Sequence, residues 1–261
     1  MNKQNDGLLT FGGHLEVFRQ MLFRILGVAA VIAIVVFCFK DTTWQLLLAP
    51  SKWDFCTYRW IEGAIQAVGM DFRFEEFHVN MIATDLSSQF MTHITTAIYL
   101  GLLWASPYIL FELFRFISPA LYENERKYSV QVAGIIYVLF LFGVLMSYFV
   151  LFPISFRFLG TYAVADSVVS NITLDSYIST FVSLTLIMGV VFQLPVIAFF
   201  LGKMGIITSS ALAHYRKHSF LVIMLVAAII TPPDLMTLIL VTIPLYLLYE
   251  ISIRVIKWVG A

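Results

Sequence analysis

The residues of this chain able to do chemistry are few, and they stand beside long apolar runs. Glu123 and Glu125 fall in the connection Phe116-Ile117-Ser118-Pro119-Ala120-Leu121-Tyr122-Glu123-Asn124-Glu125-Arg126. Ser118 followed by Pro119 is an N-cap and first-turn pair, which predicts a short helix starting there and fixes both acids at a lipid–water boundary. Such acids offer a fixed negative charge, although Glu125 on its own is more simply read as a solvated loop acid. Gln193 stands deep in an apolar run, two residues before Pro195. The proline frees a backbone carbonyl, so the amide either repairs its own helix or offers a polar contact to a partner's transmembrane helix. Asp234 follows Thr231-Pro232-Pro233 and is expected to cap the helix after it.

Other chemistries find no support. His214 and His218 share a helical face at i, i+4, but no third ligand is near in sequence, so they read as decoration of a loop and not as a metal site. Gly202-Lys203 is followed by Met204, so no G-x-x-x-x-G-K-[ST] phosphate cradle exists, and neither H-E-x-x-H nor G-x-S-x-G occurs. No cofactor, no metal and no enzymatic reaction are expected.

The elements that must position these residues follow from composition. Of 261 residues, 60% are hydrophobic and 12% charged, with a mean hydropathy of +0.89, whereas soluble domains carry about 25% charged residues. A water-soluble domain of this size has no core able to hide so much apolar surface, and disorder, collagen and coiled coil are excluded by the same figures. The 16 basic and 16 acidic residues cancel, which leaves no basic field for nucleic acid. An all-α integral membrane protein remains, a single membrane domain over 1–261. Its spans are expected at 21–39, 90–114, 130–152, 177–201, 219–231 and 236–252, six in all. The double proline Pro232-Pro233 cuts the last apolar stretch and makes the fifth and sixth spans short; thirteen residues reach only about 20 Å as helix.

Orientation follows from the basic residues. Lys3, Arg19, Arg24, Arg115, Arg126, Lys127, Lys203, Arg216, Lys217, Arg254 and Lys257 crowd one side beside helix ends. Lys40, Lys52, Arg59, Arg73 and Arg157 are spread over long loops on the other, which predicts both termini in the cytoplasm. The segment before Met21 has no cleavage pattern and is expected to stay attached. The outer loop 40–89 is rich in acids and in aromatics such as Trp44, Trp53, Tyr58 and Phe77, so it is expected to fold against the membrane. Cys38 and Cys56 both lie outside, where a disulfide and two free thiols are equally compatible with the sequence. Glu112 and Glu250 stand near cytoplasmic helix ends, so acids fully inside the membrane are missing. With no internal repeat, this weighs against a small-solute transporter, the alternative reading.

Read together, His14-Leu15…Arg19, Ala49-Pro50, Met81-Ile82-Ala83-Thr84-Asp85, Phe116-Ile117-Ser118-Pro119-Ala120-Leu121-Tyr122…Glu125-Arg126, Tyr148-Phe149…Phe152-Pro153, Phe192-Gln193-Leu194-Pro195 and Thr231-Pro232-Pro233-Asp234 form an ordered pattern. The chain resembles the TatC family, the six-span receptor subunit of the twin-arginine protein translocase, over about 14–256 except the loop between about Ser51 and Asn80, which is longer than the family usually has. The resemblance implies a concave, glove-like bundle in the bacterial cytoplasmic (inner) membrane. Such a protein binds the twin-arginine signal peptides of folded cargo at its cytoplasmic face. It assembles with TatA/TatB-like single-span subunits, with membrane lipid and with further copies of itself, and export is driven by the proton-motive force. Glu125 falls at the family's arginine-reading position, with Phe116 and Arg126 in the same motif; Glu123, Glu16 and Arg19 complete the implied signal-peptide-binding set. Carboxylates suit that task because they accept paired, charge-assisted hydrogen bonds from a guanidinium. Gln193, Thr231 and Asp234 are the implied contacts for a partner helix, and Pro50, Asp85, Pro119, Pro153, Pro195, Pro232 and Pro233 are structural positions. One departure stands out. The family usually reads His-Leu-x-Glu-Leu-Arg near its N-terminus, and the Glu is here Val17, with Glu16 one residue earlier and about 100° round the helix. Glu16 and Arg19 are also i, i+3 neighbours able to neutralise each other. A divergent member with weakened arginine recognition is the corresponding alternative.

Overall fold

A computed structural model of the chain describes residues 11–71, 73–117, 129–163, 165, 171–231 and 234–259. The helices are α1 (Phe11–Cys38), α2 (Lys40–Leu48), α3 (Cys56–Ala67), α4 (Ser88–Ile117), α5 (Ser129–Met146), α6 (Phe152–Thr161), α7 (Leu174–Val191), α8 (Leu194–Lys203), α9 (Ser209–His214), α10 (Arg216–Ile230) and α11 (Leu235–Val259). Two short strands, β1 (Met81–Ile82) and β2 (Ile172–Thr173), pair in parallel, a small exception to the all-helical expectation. Among the described residues, five segments are long and apolar enough to cross a membrane: Leu15–Cys38, Ser88–Phe116, Val132–Thr161, Leu174–Lys203 and Leu235–Trp258. The expected fifth span, α10, has 15 residues, about 22 Å of helix. The expected shortness of the sixth is corrected: α11 runs for 25 residues to Val259. Ile253 and Ile256 are buried and continue its packed stripe, while Arg254 and Lys257 face out. Charges that close a hydropathy window do not close a helix whose inner face stays apolar.

Two compact units emerge, each made of segments distant in sequence. The first joins the chain up to Lys40 with His93–Tyr137. Met21, Ile25 and Ala29 form a buried stripe on α1 at helical spacing. Gly101 of α4 lets that helix approach closely, since a Cβ there would come within 2.7 Å of the Ala33 Cβ. Phe37 stacks on His93 with ring centroids 4.2 Å apart. Phe23, Val31 and Ile34 are exposed on α1, a face suited to hydrocarbon and not to water.

The second unit holds Asp41–Thr92 and everything from Val138 on. The loop over 40–89 is tied down where prolines leave carbonyls without donors. Pro50 has no N–H for the carbonyl of Leu46, four residues back, and the Tyr148 hydroxyl donates to that oxygen at 2.8 Å. The Tyr177 hydroxyl donates to the neighbouring Leu47 carbonyl at 2.7 Å. Pro153 likewise leaves the Phe149 carbonyl open inside a π turn over Ser147–Leu151, and the Thr57 hydroxyl donates to it. Tyr58 donates to the Pro153 carbonyl at 2.8 Å, and burial holds its phenol above the ordinary range against the opposing charge of Arg157.

Arg157, near the end of α6, pins the loop more firmly still. Its guanidinium lies 4.4 Å from the Phe74 ring centroid, 4.8 Å from Phe77 and 5.3 Å from Tyr58, and it donates to the Glu75 carbonyl at 3.0 Å. Arg157→Ala is expected to lower stability by about 1–3 kcal/mol and to open 51–80 to protease. Arg157→Lys should fall between, because an ammonium cannot stack as a planar guanidinium does. Thermal unfolding and limited proteolysis of the purified protein check this; an unchanged cleavage pattern in Arg157→Ala would show that the rings hold the loop without it.

Across the buried helices of this unit, Ser147 and Thr185 share a hydrogen bond at 3.2 Å. The start of α10 is bound to α11 by Arg216, whose Nε and Nη2 reach both Glu250 oxygens at 2.8 and 3.0 Å. Ser219 donates to the Tyr249 hydroxyl at 2.9 Å, and Tyr249 donates to the Leu212 carbonyl at 2.7 Å.

Candidate functional site

The first unit brings the start of α1 against the end of α4. Phe18 and Phe116 meet with ring centroids 5.7 Å apart, one of the contacts that fixes this end. Glu16 accepts from Arg19 at 2.8 Å and from Gln20 at 3.1 Å. Both members of the Glu16–Arg19 pair are exposed, so it is worth no more than about 1 kcal/mol and yields readily to another cation. Val17, where the carboxylate is missing, is also exposed. The i, i+3 pairing expected for Glu16 is therefore present, and the side chain is accessible despite it.

Glu112 is the residue that the sequence undervalued. Its sequence position placed it only near a helix end, and it is 4% exposed. Arg24 reaches its Oε2 at 3.3 Å and Arg115 reaches its Oε1 at 3.9 Å. The Tyr108 hydroxyl, one turn along the same face, is a further polar neighbour. A signal was available: Gly101, Ala105 and Glu112 recur at i, i+4 and i+11, which puts the acid on the buried face. The Arg24–Glu112 pair also reports topology, because it sets the middle of α1 beside the last turns of α4, as Phe18 on Phe116 sets its first turns. The connection between Ile117 and Ser129 therefore leaves α4 at the end where Arg19, Arg24 and Arg115 gather. Glu123, Glu125, Arg126 and Pro119 belong to that connection and lie outside the described residues, as do Pro232 and Pro233.

In the second unit, Gln193 occupies a break between α7 and α8. Its own N–H turns to the Val190 carbonyl at 3.0 Å, which strips the Gly189 carbonyl of its regular donor. The Gln193 amide approaches that oxygen at 3.4 Å. This is the helix-repair geometry, and Pro195, buried at the start of α8, is its cause. Asp234 caps α11, its Oδ1 accepting from the Thr237 N–H at 2.6 Å. Its buried Oδ2 has no hydrogen-bond partner among the described residues. Thr231, buried, donates to the Ala227 carbonyl at 2.9 Å and closes α10. Between α10 and α11 runs an apolar groove of about 260 Å³ lined by Phe220, Met224, Thr242 and Tyr246 among others. Pro50 and Pro153 stand at the tied carbonyls described above, and Asp85 is exposed just before α4. Cys38 and Cys56 are free thiols. His214 and His218 flank the Tyr215 ring, with centroid distances of 5.2 and 5.7 Å, and no group of three metal-ligating side chains occurs among the described residues.

Comparison with known proteins gives one consistent answer. A family model described as Sec-independent protein translocase protein (TatC) matches residues 13–244. The Sec-independent protein translocase protein TatC of Blattabacterium sp. subsp. Periplaneta americana (strain BPLAN) is 32% identical over 263 residues, covering 99% of this chain and 98% of that one. The TatCy protein of Bacillus subtilis (strain 168) is 37% identical over 183 residues, 70% of this chain and 72% of its own. Among solved structures, a crystal structure of the twin arginine translocase receptor TatC superposes with a TM-score of 0.75 at 28% identity, covering 95% of this chain and all of the other.

Proposed function

The chain belongs to the TatC family of Sec-independent protein translocase proteins, and from that premise we propose that it receives the twin-arginine signal peptides of folded cargo at the cytoplasmic face. It is a multi-pass membrane protein and a subunit of a Tat protein-export complex. In the proposed topology six helices cross the bacterial inner membrane with both termini inside, α10 being the short fifth span. The basic side chains gathered where α1 begins and α4 ends support that orientation.

The observation that carries the reading is the Arg24–Glu112 contact at 3.3 Å. It supports an end of α4 that lies among arginines, and in the proposed receptor Glu125 and Glu123, which follow α4 in sequence, receive incoming guanidiniums with Phe116, Arg126, Glu16 and Arg19. Two adjacent arginines offer two planar donor forks, which carboxylates at a partly desolvated boundary bind better than they bind ammonium groups. No bond is made or broken; the proposed role is capture and assembly. TatA/TatB-like single-span subunits are the proposed partners, meeting Gln193, Thr231 and Asp234 and the groove between α10 and α11, with the proton-motive force driving passage. Further copies of the chain and membrane lipid complete the proposed assembly.

Site-specific crosslinking tests this. Photoreactive residues at positions 16, 116 and 125 are expected to capture a signal peptide bearing Arg-Arg several-fold better than the same peptide bearing Lys-Lys. Equal capture of the two would remove arginine reading from this protein and leave a divergent member of the family.

A further inference from the structure

Among charged side chains in the described residues, Glu112 is unusual in being buried while its counterions are not. The carboxylate is 5% exposed as a side chain, whereas Arg24 is 46% and Arg115 65% exposed. A buried carboxylate needs a cation, so one of these must stay unless another replaces it. The two cations are open to their surroundings; the anion is enclosed.

The geometry of the pair points the same way. Arg216 and Glu250, which fasten α10 to α11, meet as a two-pronged fork at 2.8 and 3.0 Å. Arg24 reaches Glu112 through one nitrogen at 3.3 Å, and Arg115 stands off at 3.9 Å. A fastening between helices takes the first form. The second leaves the carboxylate able to accept a better-aligned fork than the one it holds. Glu112 also lies one helical turn from Phe116 on α4, and Phe116 packs on Phe18. A guanidinium arriving beside those rings is within a turn of the carboxylate.

We propose that Glu112 is a second, deeper anionic contact for an incoming arginine, and that Arg24 is a built-in stand-in which occupies it until displaced. The proposal rests on the receptor reading above and adds a regulatory element to it. Arg24 spares the empty receptor a buried unpaired charge and sets a threshold that a single stray cation does not cross. An arginine delivered with an apolar helix behind it exchanges with Arg24, which swings out to solvent without leaving a buried charge behind.

The exchange predicts opposite signs for the two members of one ion pair. Full-length protein in lipid nanodiscs would be titrated with a fluorescent synthetic peptide carrying Arg-Arg before an apolar stretch, and with its Lys-Lys counterpart. Arg24→Gln is expected to bind the Arg-Arg peptide about five- to tenfold more tightly than the parent, because the competing cation is gone. Glu112→Gln is expected to weaken it about tenfold and to cut the preference over Lys-Lys. The double variant should follow Glu112→Gln. If Arg24→Gln fails to fold, Arg24→Lys, a poorer fork, should still tighten binding about two- to threefold. Unchanged or weaker binding in the Arg24 variants overturns the proposal and makes the pair a simple internal lock. A parent protein that binds both peptides equally overturns the receptor reading, and this inference with it.

Discussion

Charge reversal at Glu125 (Glu125→Lys) is expected to abolish export of a twin-arginine cargo while leaving the protein in the membrane at normal abundance. A charge-assisted hydrogen bond to a guanidinium is worth about 1.5–3 kcal/mol, roughly a 10- to 100-fold change in affinity. Reversal adds repulsion to that loss, so it should exceed Glu125→Ala. By sequence the residue falls between α4 and α5, so folding should be spared. The readout is a periplasmic reporter fused to the signal, alongside membrane abundance of the variant. Export at the parental level would remove Glu125 from the receptor surface and shift the role to Glu16 or Glu123.

The largest structural effect should come from Gly143→Ala. A Cβ at Gly143 would lie 2.5 Å from the Met188 carbonyl oxygen and 3.0 Å from the Phe192 Cβ, and a helix backbone cannot step aside as a side-chain end can. Overpacking of this kind costs about 1–3 kcal/mol. At Gly189 the obstacle is the Phe140 ring, 2.6 Å from a Cβ, which can rotate in part, so Gly189→Ala should cost less. Gly134→Ala is the contrast within the same helix as Gly143: nothing lies within 4 Å of its Cβ, and alanine is the better helix former there. Thermal unfolding of the three variants in one detergent separates these outcomes. A Gly143→Ala protein as stable as Gly134→Ala would mean that α5 and α7 do not approach this closely.

Much of the architecture was legible from one dimension. Runs of apolar residues long enough to cross a bilayer announce themselves without neighbours, because hydrocarbon is their solvent and every backbone group must bond within its own helix. Pro232-Pro233 marked the cut before α11 for the same local reason, and Asp234 was readable as a cap from its place alone. Gln193 was readable only to the point of two alternatives, since the Gly189 carbonyl it serves loses its donor through a local turn that spacing does not reveal.

Glu112 and Arg157 mark where local reading stops. Glu112 looked like a charge near a helix end, and Arg157 like one of the charges spread over the outer loops. One is buried against arginines from α1 and its own turn, and the other is enclosed by rings from a loop some eighty residues earlier. The full length of α11 belongs with them, since its last turns are held by the buried Ile253 and Ile256. Sequence by itself determined which segments are apolar enough to cross a membrane and which way the charges bias them, because those depend on each segment's transfer from water to lipid, and the order of its motifs carried the family. Tertiary structure alone decided which charges are buried and by what they are held, because burial is set by which helices come together, and no stretch of chain carries its neighbours' surfaces within it.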